Sequence, residues 1–185
     1  MGAGQDETGT AVERAYDAKA VAERAVADEA DPESAAMGCS GPATAAVLLL
    51  VGCADRDRVA AGPLSDTVAR AIALALGALG LPADAVAAIA TRAPGAERGS
   101  PGSARRLALS IESCDPAWVI ALDQAAAGDA GAILGGAVLR AGSPIRVAGR
   151  TWLAVDGFAD SLTDPVRKRR VWAQLKTLAR GAPGS

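Results

Sequence analysis

Six apolar residues in succession, Ala46 to Val51, run into Gly52-Cys53-Ala54-Asp55-Arg56. No polar side chain falls on either face of that run. A strand of this kind is covered on both sides, which is the condition of a parallel sheet between two helical layers. Two further runs repeat the signal: Val86 to Thr91, and "WVIALD" from Trp118 to Asp123. Ile145 to Val147 and Trp152 to Val155 read as shorter strands around a turn at Gly149.

Helical patterns separate these runs. Ser65-Asp66 is a helix start, followed by Val68, Ile72, Leu76 and Leu79 at helical spacing, with Gly80 and Pro82 as the stop. Ser103 to Ser113 and Gln124 to Leu134 read as further helices, the latter closed by Gly135-Gly136. Asp164-Pro165 opens a last helix whose apolar face is Val171, Trp172, Leu175 and Leu178, with Trp172 as a core anchor. Strands alternating with helices predict an α/β protein: a three-layer αβα sandwich around a mostly parallel sheet of about four strands.

Charge divides the chain of 185 residues. Residues 1–40 carry nine acids against three bases, a net of −6, while the remainder carries +4. Met1 to Thr10 reads as disordered, and Ala11 to Ala30 is rich in helix formers but has a weak apolar face, interrupted by Lys19 and Glu23. Asp31-Pro32 stops that segment, and Gly38 to Pro42 reads as a linker. The division expected is an acidic arm over 1–40 and one α/β domain over 41–185. Met1 to Glu7 is polar and acidic with no apolar segment behind it, and no apolar run reaches the ~18 to 20 residues that span a bilayer. A soluble, cytoplasmic chain without membrane contact is expected.

The composition removes several chemistries. There is no histidine, so Ser-His-Asp and Cys-His catalysis and His-ligated metals are excluded. Cys39, Cys53 and Cys114 have no short spacing, which argues against a disulfide framework or a zinc site and for thiols buried in the fold. Asp55, Asp123 and Asp156 sit at or just past strand ends. Such carboxylates can hold Mg²⁺ for phosphoryl chemistry, or else cap the next helix and serve turns. The glycines of "GDAGAILGGAVLRAG" match no phosphate-binding pattern. Arg167, Lys168, Arg169 and Arg170 wrap around the start of the last helix, either as a solvated face or as a contact for phosphates or an acidic partner.

Residues 46–180 resemble the uracil-DNA glycosylase superfamily, in particular its bacterial iron–sulfur class. "VLLLVG" is similar to the strand before that family's G-E-x-P-G turn, and "AGPLSDTVARAIALALGALGL" to its G-x-P-F segment and helix. "DPAWVIALD" resembles the P-x-x-I-x-x-L-G strand. "VAGRTWLAVDGFADSLTDPVRKRRVWAQLKTL" is similar to the family's ending, in which a His-Pro loop precedes an N-P-x-x-K-x-x-x-W-x-x-L helix. The resemblance implies where an active site would be, and each position departs from the family. Gly52 is kept, but Cys53 replaces the Glu, Leu64 the stacking aromatic, and Gly157-Phe158 the His-Pro. Ala87 stands near the uracil-reading Asn, and Thr91 near one of the cluster cysteines, with Cys114 out of place. A degenerate active site around Gly52, Cys53, Asp55, Leu64, Gly157 and Phe158 is expected, with no catalytic residue, metal or cofactor.

"GPLSDTVARAIALALG" and "DSLTDPVRKRRVWAQLKTL" also resemble the psi subunits of the bacterial DNA polymerase III clamp loader, a non-catalytic branch with the same fold. Leu162, Pro165, Arg169 and Trp172 stand at the matching spacing. This implies an adaptor in DNA replication, with a chi-like subunit and the clamp loader as partners and a weak single-stranded DNA contact through Arg167 to Arg170. The family's amino-terminal peptide carries a Trp, where the only aromatic of this arm is Tyr16. The alternative is a divergent glycosylase acting in DNA repair through the strand-end Asp residues.

Overall fold

The computed structural model describes residues 39–53 and 62–180. The arm up to residue 38, including Tyr16 and the segment Ala11 to Ala30, lies outside the described residues, as does 54–61 with Asp55 and Arg56.

The described elements, in chain order, are β1 (Cys39–Ser40), β2 (Val47–Val51), α1 (Asp66–Ala78), β3 (Val86–Ala90), α2 (Pro101–Cys114), β4 (Trp118–Ala121) and α3 (Gln124–Ile133), then β5 (Ile145–Val147), β6 (Arg150–Ala154), α4 (Phe158–Ser161) and α5 (Pro165–Arg180). They form one six-stranded sheet in the order β1-β3-β2-β4-β6-β5. The four central strands are parallel, and the two outer ones are antiparallel to their neighbours. The sheet is therefore mixed and six-stranded, in place of the mostly parallel sheet of about four strands that the sequence predicts.

The outer strands account for the difference. β1 has two residues, with Cys39 opposite Ile89 and Ser40 opposite Ala88. A strand that short has no alternation to read, and it sits in a Gly/Pro-rich stretch that signals a linker. The sheet thus takes in two residues assigned to the arm. β5 and β6 are the short strands expected around Gly149, and they form a hairpin with Val147 opposite Arg150. Its two turn residues, Ala148 (φ 51°) and Gly149 (φ 79°), are both left-handed, as a tight hairpin turn with the sheet's twist requires.

Strand side chains alternate between two cores. Leu48 and Leu50 of β2, Ile89 of β3, Val119 of β4 and Trp152 of β6 pack with Leu107 and Ile111 of α2 and Ala126 and Ala130 of α3. Val47 and Leu49, Ile120 and Leu153 point the other way, against Ile72 and Leu76 of α1, Phe158 of α4, and Val171, Leu175 and Leu178 of α5. Helices thus cover both faces, and the β2 side chains Val47 to Leu50 are essentially inaccessible to solvent. Among the described residues no helix is long and apolar enough to cross a membrane.

Caps delimit the helices as the sequence indicates. The Ser65 hydroxyl accepts from the Val68 N–H at 3.3 Å, and Asp123 caps α3 by accepting from the Ala126 N–H at 2.8 Å. At the start of α5 one oxygen of Asp164 accepts from the N–H groups of Val166 (2.8 Å) and Arg167 (3.2 Å). Those donations, the one from Arg167 first, hold its carboxyl below the ordinary carboxylate range. A depressed native pKa adds stability above the unfolded-chain value of ~3.9, and that gain is lost as pH falls through the native value. Between pH 7 and pH 3 the melting temperature of the wild type should therefore fall further than that of Asp164→Asn, which keeps a capping oxygen but does not titrate. Parallel pH profiles would show that the cap contributes nothing through its charge.

One expectation about α5 is revised. Val171, Leu175 and Leu178 are fully buried, but Trp172 is only half-buried and packs at the edge of the core. It lies one position round the helix from the buried stripe and lines a surface groove.

Candidate functional site

β2 has β3 on one side and β4 on the other, so chain direction across the sheet reverses between β2 and β4. In open α/β sheets the crevice beyond the carboxyl ends of such a strand pair is where ligands bind. A pocket of about 400 Å³ lies there, lined by Val51 and Cys53 after β2, Leu64, Ser65 and Val68 at the start of α1, Leu122 and Asp123 after β4, and Gly157 and Asp160 after β6. Cys53, Leu64 and Gly157, far apart in sequence, line the same pocket.

Gly52 is buried between the lining residues Val51 and Cys53 and does not itself line the pocket. Its N–H donates to Asp123 Oδ2 at 2.9 Å. A methyl group at this position would overlap Ala125 Cβ and come within 2.7 Å of Asp123 Oδ1. Glycine is needed here because the backbone of the β2 turn runs against the first turn of α3. Asp123 is thus fully engaged: one oxygen holds Gly52 and the other caps α3. Of the two roles open to it in the sequence, the capping role is the one its geometry serves.

The remaining polar groups of the lining are engaged in the same local way. The Ser65 hydroxyl accepts from the Val68 N–H, Asp160 is 3.4 Å from the Arg167 guanidinium, and the Cys53 thiol is 3.8 Å from the Ala93 carbonyl. Cys53 is exposed rather than buried, whereas Cys114 is buried with its thiol 3.9 Å from the Ala45 carbonyl. Among the described residues no group of three or more Cys, Asp or Glu side chains is placed to hold a metal ion.

Other positions fall elsewhere. Phe158, expected at the site beside Gly157, turns into the core between α1 and α5 and is only 4% exposed. The pair is also not an open loop, since Phe158 begins α4. An aromatic ring at that point gains more from burial, about 1.5 to 3 kcal/mol, than from standing in water. Asp156 faces α5, accepting from Gln174 Nε2 at 2.8 Å while its N–H donates to Gln174 Oε1 at 3.0 Å. Ala87 is buried in the interior of β3, against the α2–α3 core and short of the strand's carboxyl end. Arg167, Lys168, Arg169 and Arg170 are all exposed, and Arg167 pairs with Asp160 and with Asp164 (3.6 Å).

A buried polar network beside the site was not foreseen. The Thr91 hydroxyl lies 2.9 Å from the Gly52 carbonyl and 2.6 Å from Asp129 Oδ2, so its single proton serves one acceptor at a time. Arg92 Nε donates to the same Asp129 oxygen at 2.8 Å. Thr91 and Asp129 are both over nine-tenths buried. The sequence did hold a signal, an Asp inside an otherwise Ala/Gly helix, but nothing in it paired that Asp with a residue 38 positions away. The network fixes the end of β3 to α3 and the β2 turn, and so supports the site from behind.

A scan against models of known protein families matches none of them, and a search of curated proteins finds no match.

Proposed function

We propose that this chain is a non-catalytic adaptor with a uracil-DNA glycosylase-like fold, working as a psi-like subunit beside the clamp loader in bacterial DNA replication. The observation that supports this reading is the state of the polar side chains lining the strand-end pocket. Ser65 and Asp123 cap helices, Asp160 pairs with Arg167, and the Cys53 thiol is turned to a carbonyl. Base excision needs a stacking surface, hydrogen bonds to the base edge and a group that stabilises charge at the scission. Leu64, Ala87 and Gly157 offer none of these. The same reading carries a chi-like partner, a cytoplasmic location and no cofactor.

The second reading, a divergent DNA repair glycosylase, is favoured by the openness of the pocket at the switch point, which still has room for a base. One experiment separates the two. The purified chain is incubated with single-stranded DNA carrying uracil and a panel of damaged bases, and is titrated in parallel with a chi-like subunit. No time-dependent base release together with a saturable complex is expected. Release that scales with protein concentration overturns the adaptor reading in favour of the enzyme. Absence of any complex with the chi-like subunit removes the psi-like assignment.

A further inference from the structure

We propose that the groove between α1 and α5 is a docking site for an acidic amphipathic helix of another protein, whose apolar side chains fill the groove while its carboxylates meet the cations at the rim. The inference goes beyond the adaptor reading, which assigns no surface of this chain to a partner. Its test involves no chi-like subunit and no base release, so the two can fail separately.

The two helices lie side by side on one face of the sheet. Ile72 and Leu76 of α1 pack in the same core as Val171 and Leu175 of α5. Their far ends also meet, since Leu79 just past α1 and Ala179 near the end of α5 line one pocket with Trp118. On the outer side a groove of about 650 Å³ runs between them, with Leu74 and Ala75 on one wall, Phe158 at its floor and Leu162 and Trp172 on the other wall. Leu74 is 70% exposed and Trp172 half-buried. A leucine left in water beside a half-covered tryptophan marks a surface that gains from an occupant.

The lining selects the kind of occupant. Ser161 is the one uncharged polar side chain in it, and its hydroxyl donates to the Phe158 carbonyl at 2.6 Å. Apart from the cations, the edge of a nucleic-acid base finds no hydrogen-bond partner here. Leucine, isoleucine or phenylalanine side chains from a helix, by contrast, replace water against Leu74, Ala75 and Leu162. The wall from Pro165 to Leu175 is roughly 15 Å long at 1.5 Å per residue. Anchors at i, i+4 and i+7 of a docked helix fill such a length.

Charge gives the occupant its sign. Lys168 and Arg169 line the groove, Lys176 stands one turn beyond Trp172, and Arg70 one turn before Leu74. All four are exposed, and among the described residues no carboxylate pairs with any of them. α5 contains no acidic residue, and α1 only Asp66 in its first turn. Lys168 and Arg169 also oppose the dipole at the start of α5, a cost that nearby carboxylates offset. The rim is therefore a field of one sign, complementary to an acidic helix.

The test titrates the full chain against fluorescein-labelled synthetic peptides of roughly 16 residues, long enough for helix formation on the surface. Three carry Leu, Ile or Phe at i, i+4 and i+7 with Glu and Ala elsewhere, and three matching peptides have Lys in place of Glu. At least one Glu peptide should bind saturably, more weakly as salt rises, and its Lys counterpart should bind about tenfold less tightly. Leu74→Asp should weaken the Glu peptide by about tenfold. Lys168→Glu/Arg169→Glu should reverse the preference and bind the Lys peptide more tightly than the Glu peptide. Both variants change exposed positions, and thermal melts confirm that they are folded. Absence of saturable binding by every Glu peptide overturns the proposal, as does a preference that the double variant leaves unreversed. Displacement of the Glu peptide by a single-stranded oligonucleotide whose own binding Leu74→Asp weakens also overturns it, and assigns the groove to nucleic acid. A concentration-dependent dimer that Leu74→Asp dissolves overturns it in favour of a second copy.

Discussion

Leu175→Ala should lower the unfolding free energy by about 2 to 5 kcal/mol, the range for a leucine removed from a core that relaxes only partly. Leu175 is 1% exposed and lies in the core formed by Val47 and Leu49 of β2, Ile120 of β4, Leu153 of β6 and Ile72 of α1. It is the middle residue of the α5 stripe Val171, Leu175 and Leu178, so its loss leaves a void between helix and sheet rather than at an end that can settle. Trp172→Ala should cost less despite the larger side chain, because the indole is half-buried and already in contact with water at the groove. Urea denaturation of the two variants makes the comparison. A larger loss for Trp172→Ala would mean that the groove wall, and not the buried stripe, anchors α5.

Gly52→Ala is expected to cost about 2 to 4 kcal/mol, combining the strain of overpacking with a weakened hydrogen bond to a carboxylate. The added methyl overlaps Ala125 Cβ and sits 2.7 Å from Asp123 Oδ1 and 3.1 Å from the Ala126 nitrogen. None of these is the free end of a flexible side chain. Ala125 and Ala126 belong to the first turn of α3, and Asp123 is held from two sides. Relief therefore requires that the β2 turn and α3 move apart, which also loosens the Gly52–Thr91–Asp129 network behind them. Asp123→Asn is the control for the hydrogen-bond part alone, since its one oxygen can keep the cap while its amide nitrogen, a donor, replaces the acceptor of the Gly52 N–H without adding a methyl group. If Gly52→Ala melts within a degree of the wild type, the turn and α3 are not in the close contact described.

Both effects depend on elements that were legible to different degrees. The buried strand Val47–Val51, the Ser65 and Asp164 caps and the Val171–Leu175–Leu178 stripe were readable because each is a local pattern: a run with no polar face, a capping residue, a helical period. The crowding at Gly52 was not readable, because its cause is the first turn of a helix over 70 residues further along the chain. The site shows the same contrast. The chain's glycine and cysteine after β2 marked a strand end, but only strand order placed Leu64 and Gly157 beside them.

The sequence by itself pointed to the kind of protein this is: strands apolar on both faces must be covered on both faces, and the helical patterns between them supply that cover, while a chain without histidine lacks imidazole chemistry. It also determined the division of charge between an acidic first 40 residues and a basic remainder. The tertiary structure alone decided the order β1-β3-β2-β4-β6-β5, the recruitment of Cys39–Ser40 as an edge strand, and which β2 side chains face which helices. It also turned Phe158 inward and left Trp172 at a groove. The physical reason is that an all-apolar strand has no polar side to orient it. Its register and neighbours follow from how side chains from distant segments fill the two cores, and that filling is a property of the packed molecule rather than of any stretch of the chain.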